Sequence, residues 1–286
     1  MQKLQIIFFS VFMACAITFP AQGDDLTAGG FVSDTGRIVS LNEQAYEYYM
    51  GSLDDSCLAC ASMALQLTEK LLKSADTKDK KYLDRYMKLK IMSLKNMARS
   101  LKKSDLNRAI DTLQSALLLA QEAGDKNEQA GIYSLIGLIY DEAYQPAPAL
   151  DFYRKSLGLY IESDNKNGQA NQLLNIGISL RYKGNFGDAM ENIMESLSIS
   201  RQARDSATMV EALLAMGFVY LFVEKYDDAI KVQQEALQIY EQMKDSSGIA
   251  RIYNDMGVTN MHAGKFEMAL EQHKAALKIR LRTNEY

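Results

Sequence analysis

Tryptophan is absent from this 286-residue chain, and proline occurs only three times. So few ring-locked breaks, in a sequence rich in Ala, Leu, Gln, Glu and Lys, exclude a turn-dense sheet protein and leave long uninterrupted helices. A basic excess is also lacking: 32 Lys and Arg stand against 36 Asp and Glu, a net charge of −4. With no positive field to hold phosphates, neither nucleic acid nor an anionic membrane surface is expected as a partner. The only two histidines, His262 and His273, have no cysteine or convincing carboxylate set near them. No metal site is expected, and both histidines are assigned to the surface or to a groove. Of the three cysteines, Cys57 and Cys60 form a CLAC pair inside a helical pattern. The first reading is two small buried residues; a disulfide of an export compartment and a catalytic dithiol remain open, the latter without the strand–helix context it needs. The sequence holds no glycine loop for phosphates, no nucleophile elbow and no paired acids beyond those that cap helices. No enzymatic activity and no cofactor are expected.

Long apolar runs are scarce as well. One follows Lys3, from Ile6 to Phe19, and ends in Pro20, Ala21, Gln22 and Gly23 ahead of two aspartates. Small residues at 21 and 23 fit a signal peptide over 1–23 and a mature start at Asp24, hence export to a periplasmic or envelope location. An uncleaved anchor is disfavoured because the run is short of the about 18 residues a span needs. A lipoprotein attached through Cys15 is the alternative, with Phe12 where Leu or Val is usual. No other segment is apolar enough to span a bilayer. A flexible segment is expected over 24–37 and a folded unit over 38–286.

A period of 40 residues organises most of that unit. Gly137, Gly177, Gly217 and Gly257 each lie inside an apolar helical pattern, where glycine costs about 1 kcal/mol relative to alanine. Twelve residues on, Ala149, Ala189, Ala229 and Ala269 form a second column. Two columns of small residues let antiparallel helices approach closely, which offsets the glycine cost. Further columns read Ser156, Ser196, Ala236, Ala276 and Pro146, Phe186, Tyr226, Phe266. Gly184 and Gly264 suit left-handed helix ends, and Gly124, Asp125, Asp205 and Asp245 mark the junctions between hairpins, where Asp caps the next helix.

These columns resemble the tetratricopeptide repeat (TPR) family, with glycine in the first helix, an aromatic residue near the turn and two small residues in the second helix. Four clear copies run from about 126 to 284. A fifth is seen in SDLNRAIDTLQSALLLAQEAGD, where Ala109 and Ala116 are the small residues and Met97 replaces glycine. A sixth, irregularly spaced, places Cys57 and Ala64 in the small columns. The period is 40 where the family has 34, and the family's tryptophan is missing. The resemblance implies an all-α, right-handed superhelical solenoid of about five to six helical hairpins, of the type found in exported bacterial proteins.

It also implies that the first helices line a concave groove. The positions turned away from the glycines are Leu174, Ile178, Arg181 and Tyr182, then Leu214, Phe218, Leu221 and Phe222, then Arg251 and Asn254, with Met261 and His262 beyond. The stretch LLAMGFVYLFV is apolar almost all round, which suggests a second contact surface besides the core. Tyr182, Phe218 and Phe222 are expected to anchor a protein or peptide, with Arg181, Arg251 and Asn254 holding its backbone or a carboxylate. The expected role is a scaffold or adaptor; a sensory ectodomain of a membrane signalling protein is the alternative. At the far end, Leu270, Leu277 and Leu281 keep the inward pattern of earlier repeats, so weak homodimer formation through the last repeat is expected.

Overall fold

The computed structural model describes residues 28–74 and 80–283. The expected signal peptide over 1–23 and the alternative lipid site at Cys15 lie outside the described residues. No described helix is long and apolar enough to cross a membrane. The described residues form twelve helices: α1 Ala28–Met50, α2 Asp54–Ser74, α3 Lys80–Leu101, α4 Leu106–Glu122, α5 Lys126–Glu142, α6 Pro146–Glu162, α7 Lys166–Tyr182, α8 Phe186–Ala203, α9 Ser206–Phe222, α10 Tyr226–Met243, α11 Ser246–His262 and α12 Phe266–Thr283. They pair in order into six hairpins, each packed on the next, so the fold is the expected all-α solenoid. From α5 onward the first helices begin at 126, 166, 206 and 246, in step with the glycine columns.

Local signals set these boundaries. Asp125, Asn165, Asp205 and Asp245 accept hydrogen bonds from the backbone N–H three residues on, at Glu128, Gly168, Thr208 and Gly248. Two left-handed columns close the helices: Tyr144, Gly184, Glu224 and Gly264 within hairpins, and Gly124, Asp164, Arg204 and Lys244 between them. Glycine occupies only some of these sites. Tyr144 is 93% exposed at φ 58, so its ring offers nothing to offset a backbone conformation that costs an L-residue about 1 kcal/mol. Tyr144→Gly is therefore expected to raise the melting temperature by about 2–4 °C, measured by circular dichroism. A lowered melting point would show that the Tyr144 ring stabilises the turn.

Inside each hairpin the glycine makes room for the side chain sixteen residues on, and the alanine column at twelve plays the smaller part. A β-carbon at Gly137 would stand 2.6 Å from the Tyr153 ring, one at Gly177 2.5 Å from Ile193 Cγ1 and 3.0 Å from the Ala189 carbonyl oxygen, and one at Gly257 2.7 Å from the His273 ring. His273 is thus a packing residue of the hairpin interior, contrary to its expected place on the surface or groove, whereas His262 is exposed. Gly217 differs: its nearest neighbour would be Gln233 Cγ at 3.4 Å, an ordinary contact. Serines of the third column reinforce the approach, Ser156 donating to the Ala130 carbonyl and Ser196 to that of Ala170, both at 2.7 Å.

Between hairpins a complementary rule appears. The ring of Tyr160 lies over Gly168 and that of Tyr240 over Gly248, while the intervening junction pairs Ser200 with Thr208. At these equivalent positions a large ring faces a missing side chain twice, and two small polar residues stand in their place once.

The N-terminal hairpins depart from the period. The first helix runs from Ala28, and its buried stripe of Thr35, Ile38, Asn42 and Ala45 begins three residues ahead of residue 38. Cys57 and Cys60 are fully buried thiols on α2, not joined in a disulfide. Burial pushes the Cys57 thiol up to about 11, with Asp54 adding to the shift, which disfavours its reactive thiolate. Asn96 donates to the Asn42 carbonyl oxygen at 2.9 Å and ties α3 to α1.

Candidate peptide-binding groove

Successive first helices lie side by side and exchange side-chain bonds across the inner wall. Lys95 pairs with Glu128 at 2.7 Å, Lys102 with Glu142 at 2.6 Å, and Arg251 with Glu211 at 2.9 Å. Gln172 donates to Ser134, Thr208 to Asn171, and Ser179 to both carboxylate oxygens of Asp141 at 2.5 and 2.7 Å. Burial lowers the Lys102 ammonium, but its bonds to Glu142 and Tyr49 outweigh this and hold it above its usual value. Burial likewise raises the Asp141 carboxyl, against the opposing bonds from Ser179 and Tyr153.

The ten residues assigned to the groove divide by depth along each first helix. Leu174 and Leu214 are buried, at 6% and 3% exposure, and offer no binding surface. Neighbouring first helices cover them. Much of the apolar excess of α9 has the same explanation: Val210, Leu213, Leu214, Ala215, Met216 and Val219 are all enclosed in the core that its neighbours form. Ile178, Arg181, Phe218 and Leu221 are half-buried, while Tyr182 and Phe222 at the last turns are 69% and 59% exposed.

Two polar assignments also change. Arg251 is already engaged by Glu211, and Asn254 turns toward its own hairpin, its Oδ1 3.1 Å from His273 Nδ1. From α5 onward, the large apolar side chains left exposed near the C-terminal ends of the first helices are Leu138, Tyr182, Phe222 and Met261. Sequence reasoning left out Phe186, whose ring stacks on that of Phe222 with centroids 5.7 Å apart. Its place in the aromatic column at the turn was the available signal. The Arg181 guanidinium lies over the rings of Tyr182, 4.5 Å from the centroid, and Phe218, at 5.4 Å.

Residues 168–242 and, overlapping them, 208–282 match the tetratricopeptide repeat family. The match takes in Gly177, Gly217 and Gly257, where the sequence period is most regular. No curated protein matches the chain. Among solved structures, the solenoid resembles BtubC (BKLC) from P. vanneervenii, with a TM-score of 0.68 at 21% identity over 80% of this chain and 91% of that one. It also resembles aspartyl phosphate phosphatase F from Bacillus subtilis, at TM-score 0.66 and 14% identity over 93% and 78% of the two chains. A third is NprR in complex with its cognate peptide NprX, at TM-score 0.56 and 15% identity over 100% and 77%. At these identities the likeness is one of fold.

Proposed function

We propose that this chain is a non-enzymatic scaffold or adaptor that binds a protein or peptide along the inner wall of its TPR solenoid, outside the cytoplasm. The observation that carries the reading is the set of large apolar side chains left exposed near the ends of successive first helices, Leu138, Tyr182, Phe222 and Met261, on helices that ion pairs and hydrogen bonds join side by side. Rigid aromatic anchors set on helices are what a peptide groove supplies. The complex of a similar solenoid with its cognate peptide supports the same use of the fold. The polar residues at the junctions, Asp125, Asp205 and Asp245, are engaged as helix caps, which supports the non-enzymatic reading. The extracytoplasmic location rests on the chemistry of residues 1–23 alone.

Because Phe218 is half-buried beneath Arg181, a charge there would disturb packing, so the test uses the exposed pair. The purified chain is screened against a library of soluble synthetic octapeptides, and hits are titrated by calorimetry. The double substitution Tyr182→Glu, Phe222→Glu is expected to weaken hits at least about tenfold while leaving the helical spectrum and melting temperature close to wild type, since exposed positions contribute little to stability. Hits that bind the double variant unchanged, or the absence of any hit, would overturn the groove.

A further inference from the structure

One side of α12 carries an apolar stripe that its own hairpin does not use. Phe266, Leu270, Leu277 and Leu281 lie on one face of the helix, each 50% exposed or more. At the positions of Leu270 and Leu277, the earlier second helices carry Leu150, Met190 and Ile230, and Leu157, Leu197 and Leu237. All six are enclosed in the core or packed against it where the next hairpin follows. Among the described residues no helix follows α12, so the surface that each earlier repeat covers stands in solvent. Four large apolar side chains aligned on one helix mark an interaction surface.

Two features of the stripe select its occupant. Its spacing is palindromic: positions 266 and 281, and 270 and 277, are symmetric about the point between His273 and Lys274. A second α12 laid antiparallel therefore sets Leu270 against the second copy's Leu277 and Phe266 against its Leu281, and a twofold axis repeats both contacts. Beside the stripe, one flank bears Glu267 and Glu271 in the first half of the helix and Lys274, Lys278 and Arg282 in the second. All five are exposed, and among the described residues none has an ion-pair partner within the chain. Antiparallel helices bring like flanks together, so the acids of one copy meet the bases of the other, Glu271 near Lys278 and Glu267 near Arg282. A parallel pair does not bring these flanks together.

We propose that α12 is a self-association surface through which two copies of this chain pair antiparallel, Leu270 on Leu277, with the acid-to-base flank fixing the orientation. Peptide binding on the inner wall plays no part in it. The contact is small, because the 18 residues of α12 make a helix about 27 Å long. One such helix against another buries less than the about 1,200 Å² of a stable interface, so the dimer is weak.

Sedimentation equilibrium of the purified chain from about 1 to about 500 µM tests the pairing. Wild type is expected to dimerise with a Kd of about 10–100 µM, and Leu277→Glu to weaken this at least about tenfold. The double substitution Glu267→Lys, Glu271→Lys leaves the flank wholly basic, and Lys278→Glu, Arg282→Glu leaves it acidic but for Lys274. Each double variant alone is expected to dimerise at least about tenfold more weakly than wild type, whereas their equimolar mixture is expected to return to within about threefold of wild type, as heterodimer. Thermal melts check that the fold is kept; should Leu277→Glu melt early, the charge variants, which alter exposed side chains alone, decide the matter. A monomer at every concentration overturns the proposal. So does a dimer that survives Leu277→Glu, which would lie on another surface, and so does a mixture that associates no more tightly than its components. Growth beyond the dimer would show a head-to-tail contact and would overturn the twofold pairing as well.

Discussion

Gly177→Leu is expected to destabilise the chain by about 3 kcal/mol or more, whereas Gly217→Ala is expected to stabilise it by up to about 1 kcal/mol. The two glycines share a column and differ in what faces them. At Gly177 the first atom added beyond Cα would stand 2.5 Å from Ile193 Cγ1 and 3.0 Å from a backbone oxygen of α8, and neither can retreat. Ile193 is fully buried, and the oxygen belongs to a helix. Relief therefore requires the two helices of the hairpin to separate, which exposes apolar surface on both sides. At Gly217 the same atom would meet Gln233 at 3.4 Å and Val232 at 3.6 Å, both ordinary contacts, and alanine would gain helix propensity without strain. Urea denaturation of both variants gives the comparison. Equal responses at the two positions would show that the glycine column is not set by the residue sixteen places on.

The junction rule makes a second large prediction. Gly248→Thr would place a β-branched side chain inside the Tyr240 ring, and a cost of about 3 kcal/mol is expected. The combination Tyr240→Ser, Gly248→Thr recreates the Ser200 and Thr208 junction found one repeat earlier and is expected to recover most of the loss. The coupling between the two changes, read from a double-mutant cycle of denaturant midpoints, should exceed about 1 kcal/mol. Additive effects would mean that Tyr240 and Gly248 do not set the distance between these hairpins. Because Tyr240 is itself largely buried, the single change Tyr240→Ser should also destabilise, through loss of packing.

The repeat was legible because it rests on backbone requirements that individual residues must meet. Gly184 and Gly264 announce left-handed helix ends, Asp205 and Asp245 announce caps, and the alanine columns announce close helix approach, each a local constraint repeated at 40 residues. The chain therefore determined by itself its helices, their pairing and their succession into a solenoid. Burial along the inner wall was not legible in the same way. Leu174 and Tyr182 share a face of α7, yet one is covered by the neighbouring first helix and the other stands in solvent. That difference depends on how far adjacent hairpins overlap, a distance between elements that no single helix encodes. The partners of the polar residues were hidden for the same reason: Arg251 and Glu211 are 40 residues apart, and Arg181 has the same residue type without such a partner. The sequence specified which side chains each helix would carry on its inner face. Only the stacking of one hairpin on the next decided which of them were covered, which were ion-paired, and which were left open to a ligand.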